Sequence, residues 1–212
     1  SNRAGKIGIH VDKIKNYEFF IPESLFNVTI VLDEEITFLV GEACKYLGIL
    51  EGISKNLAFS DTIVAKYVEK ESLLSAQIEG TQASLHDVFE ANKDPAKARK
   101  GVEDVVNYIK AVNYGIELLN ELPICTRFFN KIHKVLLKDI LCQHKSPGSV
   151  REKQNWIGPR NALLNEAWFV PPDIEDMNKC LSDLEKYINT SVKIHPLIKL
   201  SLIHYQFETI HP

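Results

Sequence analysis

The sequence lacks long uncharged apolar runs and holds few cysteines, and both shortages exclude broad classes of protein. No stretch approaches the ~20 apolar residues of a membrane-spanning helix, and no charged-then-apolar N-terminus resembles a secretory signal. The four cysteines, Cys44, Cys125, Cys142 and Cys180, lie far apart with no C-x-x-C spacing. Separated thiols of this kind fit reduced core residues better than disulfides or a zinc site. We therefore expect a soluble, cytoplasmic protein with no membrane partner.

The sequence also lacks a surplus of charge of either sign. It has 25 lysines and arginines against 28 aspartates and glutamates, a net charge of −3. Without a basic surplus there is no bulk attraction to nucleic acid or to an anionic membrane. Neither G-x-x-x-x-G-K-S/T nor G-x-G-x-x-G occurs, so two common kinds of nucleotide site are excluded. With 45% hydrophobic residues, the 212-residue chain can build one large core or two joined subdomains.

What the sequence does contain is helical periodicity, because apolar residues recur at three- and four-residue steps in six runs. These runs predict helices over about 33–50, 61–79, 102–119, 126–140, 174–188 and 196–209. Asp61, Thr126 and Asp173 are candidate N-caps, and Gly80 suits the position just after a helix. Residues 1–32 are expected to form an irregular arm. The polar turn at 92–95 predicts a boundary between a helical region 1–95 and a core 96–212.

The last of these predicted helices contains few residues that plainly favour solvent. Pro196 suits its first position, where a missing N–H costs nothing. Apolar side chains lie on several of its faces, so we expect it to be buried nearly all round and to be the least exposed helix. Its His204 is expected in the core. His211 at its end is either a cation that complements the helix dipole or a catalytic group, and spacing alone leaves both open.

The run HYQFETIHP at residues 204–212 resembles the start of the signature of Fic-domain proteins, HPFx(D/E)GNGRxxR. That family transfers AMP from ATP to protein hydroxyl groups. The resemblance implies that His211 is the general base, which takes the proton of a target Ser, Thr or Tyr hydroxyl. It also implies a need for ATP and Mg²⁺. Only His211 and Pro212 of the signature are present, so no metal ligand is expected in this chain and the chain alone is expected to be inactive.

A second motif, Ser75-Ala-Gln-Ile-Glu79-Gly80, is on its own an ordinary helix end. It resembles the self-inhibition motif S/T-x-x-x-E-G/N, which some Fic proteins carry on a helix preceding the catalytic core. The resemblance implies that an inhibitory helix spans about 61–80. Glu79 would pair with the second arginine of the signature, and the γ-phosphate of ATP could then not be seated productively.

A third motif, residues 150–158, interrupts the helical pattern and is bracketed by Pro-Gly and Gly-Pro pairs. These pairs favour an extended piece within 148–158, predicted as a short β-hairpin, although a surface loop with a stacked tryptophan is the alternative. The segment resembles the flap that precedes the catalytic helix in Fic proteins and holds the target by main-chain pairing. The flap residues implied are Val150, Arg151, Gln154, Trp156, Ile157 and Gly158.

Together these motifs predict an all-α, Fic-like helical bundle with an N-terminal helical subdomain and one short hairpin flap. The expected function is protein adenylylation, inhibited by Glu79, with ATP and a target protein hydroxyl as partners. Self-association into a homo-oligomer is left open. The alternative is a non-enzymatic helical interaction or regulatory module that keeps only the Fic architecture, in which His211 is a helix cap.

Overall fold

The fold is mostly helical with one short antiparallel hairpin, which confirms the predicted fold class. The structure is a computed structural model, and it describes residues 4–11, 16–57, 60–78, 80–84, 86–88, 101–138, 146–159 and 161–212. Strands are β1 (Gly5–Val11) and β2 (Asn16–Pro22). Helices are α1 (Glu34–Ser54), α2 (Ser60–Ile78), α3 (Val102–Leu118), α4 (Thr126–Leu136), α5 (Ile174–Asn189) and α6 (Pro196–Ile210), with a 3₁₀ turn at Leu164–Glu166.

The six predicted helices form within a few residues of where the periodicity placed them, although α4 ends at Leu136 rather than at about 140. Local capping explains several of their ends. The Asp173 carboxylate accepts a 2.9 Å hydrogen bond from the backbone N–H of Asp176, so Asp173 is the predicted N-cap of α5. Pro196 occupies the first turn of α6, as expected. Gly52 does not end α1, which continues to Ser54, because an isolated glycine costs only about 1 kcal/mol inside a helix.

Gly80 ends the region of α2 in the way the sequence predicted. Its φ angle is +94°, in the left-handed region that favours glycine. The backbone N–H of Gly80 donates to Gln77 O and that of Thr81 donates to Ala76 O, both at 3.0 Å. This pair of bonds is the Schellman motif, which satisfies carbonyls left over at a helix end.

The hairpin lies at the N-terminal end of the chain, so the expected irregular arm over 1–32 was wrong. β1 and β2 pair antiparallel, with Gly5 opposite Pro22 and Val11 opposite Asn16. The sequence signal for this hairpin was a period-2 pattern in β1, in which apolar Ile7, Ile9 and Val11 alternate with other residues. Gly8 lets the strands approach, since an added Cβ would come within 2.6 Å of the Phe19 ring.

The hairpin predicted within 148–158 is absent: none of its residues belongs to a strand, and all eleven positions are described. Ile157 instead forms an isolated antiparallel bridge with Phe169, twelve residues further along the chain. The Ile157 N–H donates to Phe169 O at 2.9 Å, and the Trp168 N–H donates to Ile157 O at 2.8 Å. Ile157 is therefore paired antiparallel, but its partner was not predicted.

The chain divides into two compact units. The first unit comprises residues 1–31, 123–126 and 150–212, and the second comprises 32–122 and 127–149. The predicted boundary at residue 95 falls in 89–100, outside the described residues. The core of the first unit contains Leu25, Met177, Cys180, Leu181, Leu184, Tyr187 and Ile210. The core of the second, where α2 packs against α3, contains Leu73, Ala76, Ala83, Val88, Val102 and Val105.

Helix α6 is not the most buried helix, and this prediction was wrong. Only Gln206 and Ile210 of α6 are buried, whereas α5 buries Met177, Cys180, Leu181, Leu184 and Tyr187. The other side chains of α6 are half-buried or exposed, and His204, which was expected in the core, is exposed. Apolar residues on every face permit burial on every side, but within the first unit α5 and β2 cover only part of the helix.

Helix α1 stands out because none of its 21 residues is buried. It also carries Cys44, which is exposed, while Cys125 and Cys180 are buried as expected. None of these three cysteines forms a disulfide, and Cys142 lies outside the described residues. Among the helices that the structure describes, none combines the length and the apolar content needed to cross a membrane.

Candidate functional site

His211 lies directly after the buried C-terminal end of α6. The preceding residue, Ile210, has 0% of its surface exposed and belongs to the core of the first unit. His211 itself has φ 51° and ψ 59°, a left-handed conformation, and its N–H donates to Phe207 O at 3.1 Å. This conformation costs a non-glycine residue roughly 1–2 kcal/mol. Such strain persists only where surrounding contacts enforce it, and it is concentrated at functional sites.

Arg151 supplies contacts that enforce this conformation. Its Nε donates to the backbone oxygen of His211 at 2.8 Å, and its Nη2 donates to the backbone oxygens of Pro172 and Ile210. The positive guanidinium therefore lies at the negative, C-terminal end of α6, which is the favourable arrangement for a helix dipole. Burial lowers the pKa of Arg151, and the nearby Asp173 carboxylate acts in the opposite direction. An arginine nevertheless stays charged, so a fixed cation holds the helix end.

Asn155 holds the imidazole ring of the same histidine. The Asn155 side-chain nitrogen lies 2.9 Å from Nδ1 of His211. Its other side-chain atom, Oδ1, is buried and meets no hydrogen-bond donor among the described residues. His211 is thus fixed at its backbone by one residue of the 150–158 segment and at its ring by another.

The rest of the 150–158 segment is fastened to the first unit rather than projecting from it. Gln154 Nε2 donates to Pro171 O at 2.9 Å, and Tyr17 OH donates to Gln154 Oε1 at 3.4 Å. Val150 is half-buried against the core of the unit. Trp156 is 37% exposed with its Nε1 donating to Ala162 O at 3.1 Å, whereas Ile157 is 42% exposed and Gly158 is half-buried.

Two family models together match most of this chain. Residues 38–117 match the model described as Fic/DOC family N-terminal, and residues 123–212 match the model of the Fic/DOC family itself. The second match includes the 150–158 segment and ends on His211 and Pro212. The chain belongs to the Fic/DOC family. The suspected resemblance is therefore confirmed.

A solved structure agrees with the Fic/DOC assignment. The crystal structure of a Fic family protein from Desulfovibrio desulfuricans G20 matches 86% of this chain with a TM-score of 0.65 and 20% sequence identity. At this identity the likeness concerns the fold alone. The match covers 53% of that protein's chain, so the present chain spans about half the length of the structure it resembles.

The residues of the suspected inhibitory motif belong to the second unit, while His211 and the 150–158 segment belong to the first. Ser75 Oγ donates to Glu71 Oε1 at 2.7 Å, and Tyr108 OH of α3 donates to the same oxygen at 3.3 Å. Gly80 forms the helix end described above. Glu79 lies outside the described residues. Through these two bonds Glu71 links α2 to α3.

Metal binding is not supported by any cluster of ligands that the structure describes. Within the described ranges, no group of three His, Cys, Asp or Glu side chains could hold a metal ion. The resemblance attributes the magnesium-binding acid to the part of the signature that follows Pro212.

Sequence reasoning missed Asn155, which contacts the ring of His211, and Gln206, which fastens α6 to the residue after β2. Asn155 lies within the segment already singled out, but an irregular segment has no periodicity that could show which side chains face inward. Gln206 of α6 is 2% exposed, and its Nε2 donates to Glu23 O at 3.1 Å, directly after β2. A glutamine amid apolar residues on a predicted buried helix was the available signal, since a buried amide needs a partner.

Proposed function

We propose that the intact protein, in which the Fic signature continues after Pro212, is a self-inhibited protein adenylyltransferase. Membership of the Fic/DOC family supports a transferase. The observation that carries the proposal is the placement of His211, a strained residue anchored by Ile210 and held by Arg151 and Asn155. A histidine that served only as a helix cap would not need its ring fixed as well as its backbone.

In the proposed reaction, ATP and a target protein react to give an AMP ester and pyrophosphate. The target hydroxyl loses its proton to Nε2 of His211, and its oxygen forms a bond to the α-phosphorus of ATP. The bond between the α-phosphorus and the bridging oxygen of pyrophosphate breaks, and pyrophosphate leaves. A base on a rigid support contributes to such a step because the reacting atoms are already aligned.

The 150–158 segment is proposed to position the target, as the flap does in the resemblance. The bridge between Ile157 and Phe169 supports this role, because it shows that the segment already takes part in antiparallel pairing. The exposed Trp156 offers an apolar surface next to that bridge. A target segment that pairs with backbone groups is selected for its extended shape more than for its sequence.

Self-inhibition by Glu79 is the proposed regulation. Its carboxylate would pair with the second arginine of the signature, which otherwise binds the γ-phosphate. The Schellman closure at Gly80 and the packing of α2 on α3 support the proposal, because they give the motif a defined helix end on a docked helix.

Two parallel labelling reactions test the proposal. The intact protein is incubated with Mg²⁺ and with ATP that is radioactive either at the α-phosphate or at the γ-phosphate. Adenylylation predicts protein-bound label from the α-labelled ATP only. Label from γ-labelled ATP would indicate a kinase instead. No incorporation from either nucleotide, into the protein or into a cell extract, would favour the non-enzymatic interaction module.

A further inference from the structure

The side chain of Asn155 contacts the imidazole ring of His211, and this contact bears on which ring nitrogen carries the proton. A neutral imidazole carries its proton on one nitrogen and a lone pair on the other, and the partner of one nitrogen decides which form is present. The contact at 2.9 Å involves Nδ1. Whatever Asn155 does at Nδ1 therefore determines whether Nε2 can accept a proton.

We propose that Asn155 is a positioning residue that accepts a hydrogen bond from Nδ1–H of His211 through its Oδ1. The contact fixes the tautomer in which Nε2 carries the lone pair. This inference rests on the proposed role of His211 as a base, and it names a second residue required for that role. An amide nitrogen that donated to Nδ1 would give the opposite tautomer, with a proton on Nε2 and no base.

The amide of Asn155 can take either of two orientations, and the proposed base role of His211 selects one of them. Oxygen and nitrogen of an asparagine side chain have nearly the same shape, so their assignment rests on the hydrogen bonds they make. With nitrogen placed toward Nδ1, Oδ1 is buried with no donor among the described residues. A half-turn of the amide places Oδ1 against Nδ1–H, where it has a donor, and turns the NH₂ group to the other side.

The backbone around Asn155 is held firmly enough for its side chain to orient a ring. Gln154 Nε2 donates both to the backbone oxygen of Asn155, at 3.1 Å, and to Pro171 O, at 2.9 Å. Four residues earlier, Arg151 is bound to the His211 carbonyl at 2.8 Å. The ring and the amide are thus attached to the same short segment, and a catalytic group needs this kind of supporting contact.

The tautomer can be read directly by NMR, without any enzymatic activity. The full chain is labelled with ¹⁵N-histidine, and His211 is assigned among the seven histidines from the spectrum of the His211→Gln variant. A long-range ¹H–¹⁵N correlation spectrum is recorded at a pH where the ring is neutral. We expect a protonated Nδ1 and an unprotonated Nε2 in the native chain. A protonated Nε2 would overturn the inference.

Three variants at position 155 and one control complete the test. Asn155→Ala and the isosteric Asn155→Leu should shift His211 toward the Nε2–H form that free histidine favours, and Asn155→Asp, which keeps an acceptor, should preserve Nδ1–H. Asn178→Ala, which removes an exposed amide from α5, should leave the spectrum unchanged. An unchanged His211 spectrum in folded Asn155→Ala or Asn155→Leu would reject the role of Asn155. The native spectrum decides the tautomer even if neither variant folds.

Kinetics separate this inference from the proposed function. If the intact protein adenylylates, Asn155→Ala should lower kcat by roughly 10–100-fold, a part of what a general base contributes, with little change in the KM for ATP. Native protein that shows the Nδ1–H tautomer but transfers no AMP would refute the proposed function and leave the contact in place. Protein that transfers AMP but carries the proton on Nε2 would refute the role of Asn155 and leave the proposed function in place.

Discussion

Arg151 and His211 are joined through the backbone: Arg151 Nε donates to the carbonyl oxygen of His211 at 2.8 Å. The bond connects the segment before α5 to the residue that ends α6. It also places a cation against the last carbonyls of α6, which have no partner within the helix. The orientation of His211 therefore depends both on α6, which it follows, and on the distant segment that contains Arg151.

We predict that Arg151→Ala lowers both stability and activity. The loss of charge-assisted bonds to buried carbonyls should reduce the free energy of unfolding by about 1–3 kcal/mol. A slightly displaced His211 should reduce AMP transfer by up to about 10²-fold. Denaturant unfolding and radioactive labelling measure the two effects.

The matched control for Arg151 is Lys186→Ala, which removes an exposed cation from α5 in the same unit. In Lys186→Ala, neither the free energy of unfolding nor the rate of AMP transfer should change by more than the measurement error. Arg151→Lys should fall between native and Arg151→Ala, because an ammonium group cannot reproduce the guanidinium fork. Full activity in folded Arg151→Ala would refute the positioning role.

Ile210→Ala should destabilise the chain by about 2–5 kcal/mol, because the removed side chain is fully enclosed in the core. Leu200→Ala on the same helix should cost no more than about 0.5 kcal/mol, since Leu200 is 63% exposed. Chemical denaturation of both variants measures the difference. Equal losses would mean that α6 is covered on both faces.

Glu79→Gly should raise the automodification rate of the intact protein by roughly 10- to 100-fold. The physical reason is that an ion pair to a partly buried arginine is worth about 1–3 kcal/mol. In the proposed pair, removal of the Glu79 carboxylate would free the second arginine of the signature for the γ-phosphate. The rate of label incorporation from α-labelled ATP measures the effect.

The control for Glu79 must introduce the same glycine into α2 without touching the link to α3. Glu71 does not qualify, since it accepts from Ser75 and Tyr108. Glu69, paired with Lys66 on the surface of α2 at 2.8 Å, is suitable. Equal rate changes in Glu79→Gly and Glu69→Gly, or no change in either, would show that α2 is only a scaffold.

The helices could be predicted from the sequence because the signals that form them are local. Period-3.6 apolar runs, the N-cap Asp173 and the left-handed Gly80 each depend on a few neighbouring residues, and all three were confirmed. The Fic/DOC family could be recognised from motifs of similar length. What these signals have in common is that they need no knowledge of distant parts of the chain.

The remaining features depend on distant partners, which local patterns do not specify. Phe169 rather than a near neighbour pairs with Ile157, so the hairpin was placed wrongly. The burial of α6 was overestimated because its apolar faces were counted without knowing what covers them. Asn155 was missed since its role exists only through His211, 56 residues away.

Alkaline pH provides a test of the core around α5. Burial, together with the nearby Asp176 and Asp183 carboxylates, raises the pKa of Cys180 from 9.0 to about 11. Between about pH 9 and 11 the unfolded chain therefore loses this proton while the folded chain keeps it. Because the unfolded state binds fewer protons, stability should fall as the pH rises through this window.

The variant Cys180→Ala should lose this part of the alkaline decline, whereas Cys44→Ala, on the exposed helix α1, should keep it. The measurement is the midpoint of urea unfolding at a series of pH values from neutral to 11. Parallel curves for the native chain and Cys180→Ala would show that the thiol is not shielded in the folded state.

The central claim is that His211 is the general base of AMP transfer, and a comparison of two histidines on one helix tests it most directly. His211→Ala and His204→Ala are made in the intact protein, and incorporation of label from α-labelled ATP is followed over time. His204 is exposed, seven residues earlier in α6, and its variant should transfer AMP at the native rate. His211→Ala should be slower by about 10²–10⁴-fold while keeping its fold. Undiminished labelling by His211→Ala would contradict the account.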